Sequence, residues 1–286
     1  MSIVYLNGEF LPLDEARVSV LDRGFIFGDG VYEVIPVYGG RLFRLAQHLK
    51  RLHNSLTAVR IANPLDTEQW RTVLEGIVAR HGTADQSLYL QVTRGVAKRD
   101  HSFPADTVPT VFVMSSPLAP PAPDVLAQGV KAITLDDIRW QYCQVKAITL
   151  LANVLLRQQA IDGDAAEAIL LRDGQVTEGA ASNVFVVDDG VILTPPKDER
   201  LLPGITRDLV VELAAANGLP CLEKPVSQAV LAQATEIWLT SSTREVVPVT
   251  RLDNAAVGGG TPGPAWKRMY DIFQDYKDAL REGREH

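Results

Sequence analysis

Residues 116–124 read SPLAPPAPD, and this stretch limits the fold more than any other. Prolines at 117, 120, 121 and 123 fix φ and remove backbone donors. Such a run joins neither a helix interior nor a central strand and reads as a stiff, extended linker. A chain of 286 residues accommodates two domains at that break. The expectation is a smaller N-terminal α/β domain over 1–118 and a larger one over 119–286.

On each side the pattern alternates between strands and helices. Residues 3–13 form a hairpin with Asn7-Gly8 at its turn. Gly24, Gly28 and Gly30 mark tight backbone before a strand from Val31 to Tyr38, closed by Gly39-Gly40. Leu45, Leu49, Leu52 and Leu56 then make one helical stripe. Arg44, His48 and Arg51 lie beside that stripe; a solvated flank is the plain alternative for all three and the reading for Arg44. Asp66 and Gln69 match a capping box for a helix over Thr67–Arg80, stopped by Gly82. Strands follow at 87–93 and 109–115, with the polar loop RGVAKRDHSFP between them.

In the second half a strand is expected at 130–135. Residues 166–194 read as three strands, turned at Asp173-Gly174 and Asp189-Gly190. Pro203-Gly204 precede a helix over 206–217, and 236–240 is a strand ending in TSST. The last helix carries Trp266, Tyr270, Phe273 and Tyr276 at helical spacing, a core or interface stripe.

The formal charge is 28 − 35 = −7. No global field favours nucleic acid or an anionic membrane, so an anionic ligand needs a local basic site. Two cysteines, Cys143 and Cys221, make no disulfide framework. With Asp14, Glu15 and Arg17 interrupting any early apolar run, a reducing cytoplasm is expected. The longest apolar run, 147–156, contains Asn153 and is too short to span a bilayer. The five histidines show no metal-ligand spacing.

The stretch IRWQYCQVKAITLLANVLL, residues 138–156, holds one lysine, Lys146, among apolar neighbours. It lies where an extended segment meets a helical pattern expected to be buried. A neutral amine in such a place attacks carbonyls; a lysine that snorkels to water is the plain alternative. An amine of this kind paired with pyridoxal 5'-phosphate needs an acid for the ring nitrogen, a phosphate cradle and a cationic site for a carboxylate. Glu178, between strands in QVTEGAASNVF, is the candidate acid; a solvated turn glutamate is its alternative. Gly204-Ile205-Thr206 opens a helix whose free N–H groups suit phosphate, with ordinary capping as the alternative. Ser241 and Ser242 add hydroxyls, and Arg51 a guanidinium fork. Tyr32, Arg99 and His101 are candidates for the carboxylate, against a plain charged surface loop.

Together DRGFIFGDGVYEV, VTRG with RDHSFP, DIRW, QVKAITLLANVLL, EAILLRDGQVTEGAASNVF, GITRD and TSSTREVVPV resemble the D-amino-acid aminotransferase family. The wider group also holds branched-chain aminotransferases and aminodeoxychorismate lyase. The resemblance implies an α+β fold of two α/β domains, the larger with a barrel-like sheet, and the cofactor in the cleft between them. It implies pyridoxal 5'-phosphate bound as an imine to Lys146, with Glu178 at the pyridine nitrogen. Arg51, Ile205, Thr206, Ser241 and Ser242 would hold the phosphate, and Leu202 would pack on the ring. Tyr32, Arg99 and His101 would trap the substrate carboxylate, the last two across a homodimer interface. The implied reaction exchanges the amino group of a D-amino acid such as D-alanine with a 2-oxo acid such as 2-oxoglutarate. A branched-chain L-amino-acid aminotransferase or aminodeoxychorismate lyase is the alternative. Neither a metal, a nucleic acid nor a membrane is implied. Ala180 and Ala181 stand where the family often has serines, and Pro203 departs from some members; both bear on substrate preference.

Overall fold

The computed structural model describes residues 2–82 and 85–284. Two compact units divide the chain: 1–119 with 145–150 and 279–286, and 120–144 with 151–278. Both mix helices with sheet, an α+β architecture.

In the first unit, Asn7 and Gly8 take positive φ of 49° and 107° and turn β1 (Ile3–Leu6) into β2 (Glu9–Pro12). A short α1 (Arg23–Phe27) leads to β3 (Gly30–Tyr38) and β4 (Arg41–Leu42). Helices α2 (Leu45–Ala58) and α3 (Thr67–His81) follow, then β5 (Gln86–Thr93) and β6 (Thr110–Pro117). The sheet order is β2-β1-β6-β5-β3-β4, antiparallel throughout. Strand alternation puts Val31, Ile35 and Val37 on the face covered by Leu45, Leu49, Leu52 and Leu56 of α2. From α3, Trp70, Val73, Leu74 and Ile77 join the same core. The capping box on α3 forms in both directions, Gln69 N to Asp66 Oδ1 at 2.9 Å and Asp66 N to Gln69 Oε1 at 2.8 Å.

The second unit opens with α4 (Pro123–Gln128), where proline occupies a first-turn position that needs no donor. Next come β7 (Val130–Asp136), α5 (Leu151–Asp162), β8 (Glu167–Arg172), β9 (Gln175–Gly179), β10 (Asn183–Asp188) and β11 (Val191–Thr194). Then follow α6 (Ile205–Ala216), β12 (Cys221–Glu223), α7 (Gln228–Gln233), β13 (Glu236–Ser241), β14 (Glu245–Leu252), β15 (Ala255–Ala256) and α8 (Pro264–Arg281). The sheet runs β12-β11-β10-β13-β14-β7-β8-β9. Only residues 180–182 connect β9 to β10, although four strands separate them in that order. So short a link requires the sheet to curl until β9 returns beside β10, which gives its barrel-like form. Ile169 and Leu171 of β8 face one core while Ala168 and Leu170 face α5 through Leu156 and Ala160. Burial on both faces explains the unbroken apolar run of β8.

Three expectations change. Residues 167–194 hold four strands, because the chain turns at 180–182 without an Asp-Gly signal. Helix α5 forms but is not buried all round: Leu151, Val154 and Leu155 are 72%, 59% and 49% exposed. Arg44 is buried, not on a solvated flank; it precedes α2 with a positive φ of 48°.

Candidate active site

In the first unit, the edge of β3 beyond β4 is taken by residues 146–148. Tyr32 N donates to Lys146 O at 2.9 Å, Ile148 N to Gly30 O at 3.1 Å, and Val31 bridges Ala147. The approach demands glycine at 30: a Cβ there would lie 2.7 Å from Val92 O and 3.0 Å from Ile148 Cδ1. Extended alternation then sorts the side chains. Val145 and Ala147 enter the core under the helices, while the Lys146 amine lies 4.0 Å from the Tyr32 ring centroid. Lys146 N also donates to Ser55 Oγ of α2 at 3.2 Å, which fixes the segment from its helix side.

Glu33 shares the core-facing parity of Val31 and Ile35 and is fully buried. A charge so placed needs partners. Arg51 supplies Nε to Oε1 at 2.8 Å and Nη2 to Oε2 at 2.7 Å, and His48 Nδ1 sits 2.8 Å from Oε2. His48, Arg51 and Ser55 thus form a buried polar stripe on α2 beside its leucines. Burial alone would raise the Glu33 carboxyl, but the Arg51 charge, its hydrogen bonds and His48 hold it at about 2. Burial pushes His48 below the usual imidazole range against the pull of Glu33.

Arg99 and His101 lie exposed on the loop between β5 and β6. The structure places both against Phe27, with Arg99 Cζ 5.4 Å and the His101 ring 5.4 Å from that ring.

In the second unit, Glu178 lies within β9 and is buried. Its Oε2 accepts from Asn183 Nδ2 and from Leu202 N, each at 3.1 Å. Its Oε1 accepts a short bond from Arg139 Nη1. Arg139 is in turn forked to the buried Asp137, Nε to Oδ1 and Nη2 to Oδ2, both at 2.9 Å. Burial opposes the charge on Arg139, yet Asp137 and Glu178 together hold the guanidinium above its ordinary range. Sequence reasoning quoted this arginine in DIRW without giving it a role. Its signal was the Asp137–Arg139 spacing before a candidate acid.

Helix α6 begins at Gly204 with no side-chain cap. A Cβ on Gly204 would stand 2.0 Å from Asn183 Oδ1, so the helix start abuts that amide. Asn183 is directly paired with Thr240 of β13, which puts their side chains on one face. Thr240 Oγ1 is buried with no hydrogen-bond partner among the described residues. Ile205 and Thr206 are buried in the first turn; Ser241 and Ser242 follow Thr240 half-buried, with Ser241 Oγ accepting from Arg244 N at 3.3 Å. Hence Glu178, Leu202, the α6 start and the TSST strand end form one connected group through Asn183. Among the described residues no cluster of three or more His, Cys, Asp or Glu is arranged for a metal ion.

The first unit thus sets a lysine amine against a tyrosine ring, and the second holds an uncapped helix start, a place that suits an anion. The sequence profile of amino-transferase class IV matches residues 30–252. The D-alanine aminotransferase of Bacillus licheniformis is 42% identical over 95% of this chain and 96% of its own. That of Staphylococcus haemolyticus is 37% identical over 96% and 98%. Among solved structures, a T.th. branched-chain amino acid aminotransferase with pyridoxamine 5'-phosphate superimposes with TM-score 0.93 at 27% identity, covering 99% of this chain and 96% of that one. The branched-chain enzyme from Escherichia coli gives 0.88 at 26%, covering 100% and 96%. The chain belongs to the class IV amino-transferase family.

Proposed function

We propose that the protein is a pyridoxal 5'-phosphate-dependent aminotransferase that moves the amino group of a D-amino acid, such as D-alanine, to a 2-oxo acid such as 2-oxoglutarate. The observation that carries this reading is the Lys146 amine set over Tyr32 at the edge of β3, in a chain 42% identical along 95% of its length to a D-alanine aminotransferase.

The residues present fit the cofactor. A phosphate suits the uncapped start of α6, where the N–H groups of Ile205 and Thr206 and the helix dipole favour an anion. The partnerless Thr240 hydroxyl beside it is a donor in want of an acceptor, and Ser241 and Ser242 extend the hydroxyl set. Arg51, aligned by Glu33, is the cation we assign to the phosphate. Glu178, oriented by its bond from Arg139, suits a protonated ring nitrogen, and Leu202 is assigned to pack on the ring. When bound, the cofactor supplies an electron sink for the substrate α-carbon. Lys146 would be the attachment point, and its free amine would carry the substrate α-proton. Tyr32, Arg99 and His101 orient the substrate carboxylate, the last two across a homodimer interface. Support for a homodimer comes from the exposed apolar face of α5. The two free cysteines agree with a cytoplasmic setting.

Addition of single D- and L-amino acids to the yellow holoenzyme tests the reading. D-alanine should bleach the visible absorbance and release pyruvate. Lys146→Ala should lose turnover and yield no borohydride-trapped adduct at that position. Bleaching by L-leucine or L-valine alone would favour the branched-chain reading, which the structural neighbours support. Release of pyruvate from aminodeoxychorismate alone would favour the lyase.

A further inference from the structure

Arg99 and His101 project from a loop that is itself exposed, yet buried charges fasten the loop from beneath. Asp29 accepts from Arg23 Nε at 2.8 Å and from Arg94 Nε and Nη2 at 2.7 and 3.0 Å. Arg23 and Arg94 side chains are 4% and 7% exposed, Asp29 13%. The outward end of Arg23 goes to the loop, whereas Arg94 Nη1 and Nη2 donate to Arg60 O at 2.9 Å and Val59 O at 2.7 Å and its guanidinium meets the loop only at a ring. Arg23 Nη1 donates to Asp100 O at 2.6 Å, the carbonyl between the two candidate carboxylate contacts. Arg94 Cζ stacks 3.8 Å from the Phe103 ring centroid. Phe27 sits in the middle, with Arg23 Cζ at 4.8 Å and Arg99 and His101 at 5.4 Å each. Asp100 closes the loop on itself by accepting from Ser102 N at 2.8 Å.

A solvated loop needs no buried guanidinium under its carbonyls, and desolvating two arginines and a carboxylate is costly unless their geometry is fixed. Here that geometry fixes the backbone at residue 100 and the ring on which the flanking side chains lie. We propose that Arg23, Asp29 and Phe27 are positioning residues that preorganise Arg99 and His101 for the substrate carboxylate. This rests on the reading of Arg99 and His101 as carboxylate contacts. None of the three need touch substrate or cofactor. They act by holding two exposed side chains in one geometry, so their loss weakens substrate capture while the chemistry at Lys146 stays intact.

The test uses the holoenzyme with D-alanine and 2-oxoglutarate. Phe27→Leu removes the ring, and Phe27→Tyr keeps it. Arg23→Lys keeps a cation for Asp29 but cannot serve Asp29 and Asp100 O together. The expected result is KM for D-alanine raised about tenfold in Phe27→Leu and Arg23→Lys, with kcat and pyridoxal 5'-phosphate affinity within about twofold of wild type and Phe27→Tyr near wild type. An unchanged KM in Phe27→Leu and Arg23→Lys overturns the proposal, as does a joint fall in kcat and cofactor affinity. Arg99→Ala separates the two levels. If it raises KM while Phe27→Leu and Arg23→Lys do not, the positioning role fails and the carboxylate reading stands. If Arg99→Ala also leaves KM unchanged, the carboxylate reading itself fails.

Discussion

Arg51 meets Glu33 edge to edge inside the first unit, Nε on one carboxylate oxygen at 2.8 Å and Nη2 on the other at 2.7 Å. A buried fork of this kind is sensitive to loss of either half. Glu33→Gln should destabilise the fold by about 3–5 kcal/mol at pH 7. The folded carboxyl is depressed from 4.5 to about 2, so its contribution is fully present above the unfolded value and is lost as pH falls through the range between them. Urea unfolding of wild type and Glu33→Gln should therefore show a gap that is constant from pH 7 to about 5 and narrows towards pH 3. A gap that does not narrow would mean that the Glu33 charge contributes nothing.

Arg139→Met should weaken cofactor binding and also the fold, because the buried Asp137 loses its fork as well. The substitution takes the charged donor from Glu178 Oε1, while Asn183 and Leu202 still donate to Oε2 at 3.1 Å. Loss of this charge-assisted contact frees the Glu178 carboxylate from the geometry that suits it to a ring nitrogen. The expected effect is about tenfold or more in the dissociation constant for pyridoxal 5'-phosphate, read by absorbance titration, with a fall in kcat. Arg139→Lys should rescue little, because a point charge cannot serve Asp137 and Glu178 together.

Much of this arrangement was legible in residue order and some was not. The parity of Val31, Glu33 and Ile35 fixes a carboxylate on the core face of β3, and His48 and Arg51 beside the leucine stripe are the groups that answer it. The four-strand count escaped because the turn at 180–182 carries none of the positive-φ residues that mark Asp173-Gly174 and Asp189-Gly190. Helices α4 and α7 span six residues each, too short for a periodic signal. The return of residues 145–150 to the first unit is a non-local strand pairing with β3. No local pattern encodes such a pairing; glycine at position 30 is its one trace.

Thr240→Val should separate cofactor binding from stability. Among the described residues the Thr240 hydroxyl is buried without a partner, so a methyl in its place is neutral or stabilising. Stability of the cofactor-free protein by urea should change by no more than about 0.5 kcal/mol, or rise. If the hydroxyl serves the phosphate, affinity for pyridoxal 5'-phosphate falls several-fold, whereas affinity for pyridoxal, which lacks the phosphate, does not. Equal losses for both compounds would remove Thr240 from the phosphate site.

Helix α5 shows Leu151, Val154, Leu155 and Ile161 to solvent at 72%, 59%, 49% and 51% within one chain. Leu151 and Leu155 are 72% and 49% exposed and lie outside the buried core, so the folded monomer tolerates an aspartate at either with little cost. At a dimer contact the same charge is buried against apolar surface and is strongly unfavourable. The double variant Leu151→Asp, Leu155→Asp should keep its circular dichroism and, if α5 carries the dimer contact, halve its mass in light scattering. Because Arg99 and His101 are assigned to act across the interface, that monomer should retain cofactor but lose D-alanine turnover. A variant that remains dimeric and active would remove α5 from the interface; a monomeric one with full turnover would show that the carboxylate contacts belong to the chain that carries the lysine.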